Sequence, residues 1–317
     1  MPKVSINIAN YNSKKYLPFW ISSILNQNFK DFEVVIIDND SKDGSKEYIK
    51  ENYDNIKLIE NPSNLGFSHA HNQAILENDS EYILIMNQDV FLENDFLEIL
   101  IKFADENREF ASFGGKLKKM KFSENSRFER LDYMDSLYLK HNIGYKFNNF
   151  GEGIHESNIP DVDKEVFGIS GALVMYRRST LNKVRHSENE YFDDDFFMYK
   201  EDIDLAWRLQ NAGFKSAYLK DAVAYHERTF IGANNDIFDT IKRKKGDNEF
   251  LAKISYRNHL YILLKNLSLK NFVIKFPFIF YEELKKFLYY LFFKRKVLFF
   301  AWKEFFKNFK KIYRKRA

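Results

Sequence analysis

The sequence predicts an α/β fold, a mostly parallel sheet flanked by helices, with an added helical region at the C-terminal end. Three features carry this. Apolar runs of strand length alternate with stretches of helical length through the first third of the chain. Two of the runs, FEVVIID and YILIM, are almost continuously apolar, as strands covered on both faces are. Both end in polar residues, at the place where open α/β sheets hold ligands.

Taken in order, VSINIA (residues 4–9) is a strand, and KKYLPFWISSILNQ (14–27) is a helix with Pro18 early enough to be tolerated. FEVVIID (32–38) is the second strand, SKDGSKEYIKENY (41–53) a turn and short helix, and IKLIEN (56–61) the third strand. HAHNQAILEN (69–78) is a helix, EYILIMNQDV (81–90) the fourth strand, and NDFLEILIKFADEN (94–107) a helix. The pattern loosens between Phe113 and Ile169, where KMKFSENSRFERLD and NIGYKFNNFGEGIHESNIPD are polar with scattered aromatics and predict no regular structure. ISGALVMYRR (169–178) restores a strand, FFMYKEDIDLAWRLQNAG (196–213) leads into a helix, and AYLKDAVAYH (217–226) is a short strand or hairpin. TFIGANNDIF and KRKKGDNEF read as loop, and a helix runs from about Glu249 through KISYRNHLYILLKN.

Composition narrows the function classes. Of 317 residues, 45% are hydrophobic and 30% charged, which suits a packed core and not wholesale disorder. The absence of cysteine excludes disulfides, thiolate metal sites and a cysteine nucleophile, and fits a reducing compartment. MPKVSINIANYN shows no secretory pattern, and no run reaches the roughly eighteen apolar residues of a simple membrane span. The net charge of +4 divides unevenly: residues 270–317 hold 14 Lys/Arg and 3 Asp/Glu, leaving 35 basic and 42 acidic residues before them. An acidic body with a basic, aromatic tail is not a uniformly basic nucleic-acid binder.

Several polar residues are candidates for chemistry. Asp38 and Asp40 follow one buried strand, and Asn87 and Asp89 another, so topology alone places both pairs in one crevice. Carboxylates at such strand ends are costly unless a ligand, metal or donor receives them. Asp38–Ser41 equally suits the cap of a helix beginning near Lys42. The segment after the first strand, NYNSKKY, has no glycine, which excludes the dinucleotide fingerprint, and the P-loop pattern is absent too. In Asn64–Leu65–Gly66–Phe67, the glycine can adopt a backbone shape closed to other residues; His69 and Asn72 on the next helix are either ligand contacts or packed residues. His226 ends a strand, and a neutral imidazole beside carboxylates suits a divalent ion. Glu201, Asp202 and Asp204 fall in the first turn of a helix, where free N–H groups favour negative charge. Asp204 can pair with Arg208, and Gly213 is a natural stop. Capping alone would account for these acids; a reaction is the competing account.

Taken together, VSINIANYNS, VVIIDNDSKDGS, NPSNLGFSHAHNQAI, ILIMNQDV, GISGALVMYRR, YFDDDFFMYKEDIDLAWRLQNAG and AVAYH resemble the family 2 glycosyltransferases of the GT-A fold, in their bacterial rhamnosyltransferase-like branch. SYRNHLYILLKN resembles the segment that follows the catalytic domain in that family. The resemblance covers residues 3 to 265, and its strength lies in ordered co-occurrence. It implies a catalytic domain over residues 1–265 and a helical extension over 266–317.

The resemblance also implies roles. Ala9 and Tyr11 look like contacts to the base and ribose of a nucleotide sugar, Asp38 like the acid bonded to the base with Asp40 nearby, and Asn64 and Gly66 like further donor-binding positions. Asp89 resembles the last acid of a DxD-type motif and His226 a second protein ligand for Mg2+ or Mn2+. Asn87 stands where that motif has its first acid, so the protein offers the ion fewer charges. Gly171 and Ala172 look like the floor near the donor sugar, and Asp202 like the general base, with Glu201, Asp194 and Asp195 shaping the acceptor site. The implied activity is inverting transfer from a nucleotide sugar to a saccharide of the cell surface, with dTDP-L-rhamnose as the expected donor. A UDP-hexose donor, or an inactive glycan-binding or scaffold protein, are the alternatives.

The tail from Phe272 is aromatic and basic throughout. It suits an interfacial membrane element, with rings at the headgroups and lysines on anionic phosphates. It also suits a helical subdomain packed on the body or on a second copy of the chain. The expected placement is cytoplasmic, peripheral on the inner face of the membrane, with a lipid-linked acceptor and no nucleic acid.

Overall fold

Strand and helix alternate from the N-terminus: β1 (Val4–Asn10), α1 (Leu17–Leu25), β2 (Phe32–Asp38), α2 (Ser45–Asn52), β3 (Lys57–Glu60), α3 (Gly66–Leu76), β4 (Tyr82–Met86), β5 (Val90–Leu92) and α4 (Phe96–Glu106). The computed structural model describes residues 1–122, 128–160, 164–227 and 249–316; TFIGANNDIF and residues 242–248 of KRKKGDNEF lie outside them. β1 pairs in parallel with both β2 and β4, and β2 with β3. β4 is buried along its whole length. Its Leu84 and Met86 join Trp20 of α1 and Leu97 of α4 in one core, while Ile83 and Ile85 face Ile75 of α3 in the other. Each such side chain contributes about 1.5–3 kcal/mol on burial, which explains the lack of alternation in this strand.

The chain continues through β6 (Phe110–Phe122), β7 (Phe128–Ser136), β8 (Tyr138–His141), β9 (Phe147–Phe150), β10 (Glu165–Val166), β11 (Leu173–Arg177), α5 (Arg178–Val184), α6 (Glu201–Asn211), β12 (Lys215–His226), α7 (Glu249–Asn266), α8 (Leu269–Phe293) and α9 (Arg295–Arg314). The main sheet runs β10-β12-β6-β11-β4-β1-β2-β3. It is parallel where the first four strands pair and mixed beyond, because β11 runs antiparallel to both β4 and β6. Helices cover both faces and three more follow. This is the expected α/β, GT-A-like architecture.

Two stretches depart from the sequence expectation. Residues 113–169 carry no strand signal, yet they form most of β6 and all of β7–β10. β6 lies inside the sheet between β11 and β12, and its glycines are packing devices: a Cβ at Gly114 would lie 2.3 Å from Ile169, and one at Gly115 2.0 Å from the Ala222 carbonyl. Its Lys116 and Lys118 reach Glu156, at 2.9 and 2.7 Å, a partner invisible to local patterning. AYLKDAVAYH is no hairpin; it belongs to one twelve-residue strand with a register shift between Leu219 and Val223.

The C-terminal helices join the body through apolar packing and ion pairs. Val297, Leu298 and Ala301 of α9 pack on Tyr256 and Leu260 of α7. Lys315, just past α9, lies 2.6 Å from both Glu190 and Asp193 and 2.9 Å from Asp195, beside a Lys311–Asp195 pair. By contrast, α8 buries only Ile279 and Glu282. Val273, Phe276, Phe280, Leu284 and Phe287 are all exposed and recur at helical spacing. Among the described residues, no helix is long and apolar enough to cross a membrane.

Candidate active site

A cleft of about 620 Å³ opens beyond the carboxyl ends of β1 and β4, between them and the start of α6. It brings together Ala9, Tyr11, Asn64, Gly66, Asn87 and Asp89 with Gly171, Ala172, Glu201 and Asp202. β4 stops at Met86, the chain turns through Asn87–Gln88–Asp89, and β5 then pairs with β12. Gln88 fixes this turn to the end of β1: its side chain accepts from Tyr11 N–H at 2.6 Å and donates to the Tyr11 carbonyl at 3.0 Å.

Asp38 is wholly buried beneath the cleft. It accepts from the Asn10 side chain at 2.6 Å and from Ser41 N–H at 2.8 Å, tying the β1 and β2 ends together. It caps no helix, since α2 begins at Ser45 with Gly44 before it. Asp40 takes a left-handed φ of 65° and pairs with Lys42 away from the cleft lining. At the start of α3, Asn64 accepts from Gly66 N–H at 2.9 Å. Gly66 has φ 87°, and a Cβ there would come 2.5 Å from the Phe197 carbonyl oxygen; no other residue fits.

At the start of α6, Asp202 Oδ2 accepts from Gly171 N–H at 2.9 Å, and Oδ1 from Ile203 N–H at 2.8 Å. The carboxylate is therefore held at a helix N-terminus with its face toward the cleft. Its neighbour Glu201 is different. Burial, then the charge of Asp202, push the Glu201 carboxyl up to about 8, and its Oε2 is buried without a hydrogen-bond partner. Both causes favour the neutral acid.

The segment before α6 is strained. Phe197, Tyr199 and Lys200 have φ of 63°, 67° and 71°, a region that costs about 1–3 kcal/mol for residues with a Cβ. What holds it is Asn258 of α7, whose buried amide donates to the carbonyls of Phe196, Met198 and Tyr199 at 3.0, 2.9 and 2.8 Å. Arg257 adds bonds to the Asp195 and Phe196 carbonyls. These two residues lie in the SYRNHLYILLKN stretch, where spacing gives no hint of what they grip.

His226 lies behind Asp89 rather than in the cleft lining. Its Nε2 is 3.1 Å from Asp89 Oδ1 and its Nδ1 2.8 Å from Asp135 Oδ2. Burial disfavours the imidazolium, but the bonds to Asp135 and Asp89 outweigh it and raise the ring to about 9. An imidazole oriented by a buried carboxylate toward a second carboxylate is the donor set that fits a divalent ion, with a proton to be displaced on binding. Asp135 comes from the stretch without strand signal, and no local pattern marks it.

Among the described residues, His186, Asp193 and Asp204 bring their ligand atoms within 4.8 Å of one another, a donor set consistent with a divalent-ion site. The buried Lys265 ammonium stands among them, 2.5 Å from Asp193, 3.0 Å from Asp204 and 3.1 Å from His186. Arg208 and Asn266 complete the surroundings of Asp204, at 3.0 and 2.8 Å. The expected Asp204–Arg208 pair is thus part of a buried polar network that already contains its cation. Asp194 and Asp195 do not line the cleft either: Asp194 bonds to His69 and Asn72, and Asp195 to Lys311 and Lys315.

The fold, with a cleft lined by acids at its strand ends, is of the GT-A class. The pattern of glycosyl transferase family 2 matches residues 5–185, more than half of the chain, and the chain belongs to that family. It is similar to an N-acetylglucosaminyl-diphospho-decaprenol L-rhamnosyltransferase of Mycobacterium tuberculosis, 24% identical over 80% of this chain and 84% of the relative. A cholesterol galactosyltransferase of Borreliella burgdorferi is 36% identical over 31% of this chain and 28% of its own. Among solved structures, the mannosyltransferase PcManGT of Pyrobaculum calidifontis, in complex with GDP-Man and Mn2+, superposes with a TM-score of 0.52 at 16% identity, covering 97% of this chain and 75% of its own. Residues 1–349 of TarS from S. aureus give 0.52 at 18%, over 87% and 69%. These likenesses support the fold.

Proposed function

We propose that the chain is an inverting glycosyltransferase that moves L-rhamnose from dTDP-L-rhamnose to a lipid-linked saccharide, in the synthesis of a cell-surface polysaccharide. The observation that carries the reading is that Asp89 and Asp202 line one cleft, with Asp202 fixed by Gly171 N–H. The nucleotide lies over Ala9, Tyr11, Asn64 and Gly66, with Asp38 and Asp40 acting from beneath and beside it, and Asn87, Gly171 and Ala172 bound the diphosphate and sugar. Asp202 takes the proton of the acceptor hydroxyl as that oxygen bonds to the anomeric carbon, whose bond to the phosphate oxygen breaks. The nucleoside diphosphate leaves with the electron pair. One displacement inverts the centre. Asp89 and His226 would hold a Mg2+ or Mn2+ ion, which when bound supplies positive charge beside the departing diphosphate. Glu201 faces the acceptor side, and Asp194 and Asp195 support that side from outside the cleft.

Support for the sugar and the acceptor comes from the mycobacterial relative, whose name states a rhamnosyl transfer to a lipid diphosphate. The exposed aromatic stripe of α8, beside a basic tail, supports a peripheral seat on the cytoplasmic face of a membrane. The test is a donor panel with purified protein and Mg2+ or Mn2+, reading transfer and slow donor hydrolysis. Turnover of dTDP-L-rhamnose alone is the expected result. Turnover of a UDP-hexose instead would replace the donor, and no turnover of any nucleotide sugar would leave a scaffold.

A further inference from the structure

Asp193 stands between two lysines that come from different helices. Lys265 of α7 lies 2.5 Å from its Oδ2, and Lys315, just past α9, 2.6 Å from its Oδ1. The same Oδ1 accepts from Asp195 N–H at 3.0 Å and so caps the short helical turn Asp194–Phe196. Five acids crowd this stretch: Glu188, Glu190, Asp193, Asp194 and Asp195. Like charges so close together repel, and the turn is disfavoured unless cations meet them. Lys315 meets three, since it also reaches Glu190 at 2.6 Å and Asp195 at 2.9 Å.

Exposure distinguishes Lys315 from its neighbour. Its side chain is 16% exposed and that of Asp193 fully buried, so solvent screens their attraction little. Lys311, which also pairs with Asp195, is 60% exposed, where an ion pair contributes little. Burial opposes the charged form of Asp193, yet Lys265 and Lys315 hold its carboxyl below the ordinary range. Arg316 fixes the same tail by donating to the Leu264 and Leu267 carbonyls at the end of α7.

The chain after Asp193 leads straight to the reaction site. The turn Asp194–Phe196 runs into the left-handed Phe197, Tyr199 and Lys200, and α6 then opens with Glu201 and Asp202. The Phe197 carbonyl accepts from Phe67 N–H at 2.7 Å, next to Gly66 of the cleft lining. Asn258 holds the middle of the segment, and Lys265 and Lys315 hold its start. Backbone in these conformations persists when its surroundings fix it at several points.

We propose that Lys315 is a positioning residue for glycosyl transfer: it clamps Glu190, Asp193 and Asp195, and through them sets the aim of the Asp202 carboxylate. The proposal rests on the reading of Asp202 as the base. It gives the added C-terminal helices a part in turnover, although the family pattern ends at residue 185.

The test compares Lys315→Met and Lys315→Arg with Lys310→Met, which changes an exposed lysine of α9. Three quantities are read on the full chain without membranes. They are hydrolysis of dTDP-L-rhamnose with Mn2+, water replacing the acceptor hydroxyl; dTDP affinity by calorimetry; and backbone hydrogen exchange by mass spectrometry. Lys315→Met should lower kcat at least tenfold, leave dTDP affinity within twofold, and quicken exchange over residues 194–203 but not in β1, β2 or β4. Lys315→Arg should recover at least half of the rate, and Lys310→Met should match the parent. Parental kcat in Lys315→Met would overturn the proposal and leave Lys315 a packing contact. Equal falls in kcat and dTDP affinity would overturn it too, since a loosened domain loses both. So would unchanged exchange over 194–203, whatever the rate does. If Lys315→Met does not fold, Glu190→Gln breaks the same clamp more mildly: kcat should fall at least twofold, and a parental kcat would overturn the proposal. Hydrolysis of no nucleotide sugar by the unsubstituted chain would instead reject the glycosyl-transfer reading, and exchange alone would then decide whether Lys315 holds the segment.

Discussion

Gly171 N–H donates to Asp202 Oδ2 at 2.9 Å, and a Cβ on Gly171 would stand 3.0 Å from the Cβ of Asp202. The glycine is what lets the backbone come close enough to aim the carboxylate. Asp202→Asn keeps the shape and removes the proton acceptor, so turnover should fall about a hundredfold or more while nucleotide affinity changes little. Steady-state rates at saturating donor and acceptor check this. Equal turnover would move the base elsewhere.

The dyad of Asp89 and His226 should read out through the donor. Substituting either by Ala should lower donor affinity and its response to Mn2+ together. Asp135→Asn, which acts at the far nitrogen of His226, should weaken metal-dependent nucleotide binding by about 10–100-fold, the usual effect of an outer partner. Calorimetry showing unchanged metal response in all three variants would reject the site.

Glu201 predicts a pH dependence of stability. Burial and the adjacent Asp202 raise its carboxyl from an ordinary 4.5 to about 8, so across that window the folded chain holds a proton that the unfolded chain has released. Stability therefore falls as pH rises from 4.5 toward 8. Glu201→Gln removes this part of the fall, while His226, raised to about 9, acts alike in both proteins and cancels in the difference. Urea unfolding at pH 5.5 and 7.5 should show the variant gaining on the parent at the higher pH. Parallel changes in the two proteins would mean that Glu201 ionises normally.

Asn258 should matter out of proportion to its distance from the reaction. Asn258→Ala strips the donors from three carbonyls in a segment with three left-handed residues, at a cost of about 1–3 kcal/mol. The urea midpoint should drop with an unchanged slope, and turnover should fall because the same segment leads into Asp202. A variant with parental stability and turnover would show that the segment holds its shape unaided.

The sequence alone determined the parts whose signal is local. β1, β2 and β4 are legible because strands covered on both faces must be apolar throughout, and their polar ends mark the cleft. Asn64 and Gly66 are legible because a tight turn admits few residues, and the acids of α6 because a helix N-terminus attracts them. Tertiary structure decided the rest, through partners far apart in the chain. Lys116 and Lys118 are tolerated in a central strand because Glu156 meets both and Asp132 meets Lys118, and β6 needs its two glycines because Ile169 and Ala222 press on it. Asp135 acquires meaning from His226, 91 residues away, and Asn258 from carbonyls about 60 residues away. α7 packs against the body on one side and α9 on another, so it shows no single apolar stripe that would have given its role away. Periodicity records which face of an element is buried; it cannot record which distant polar group will be waiting there.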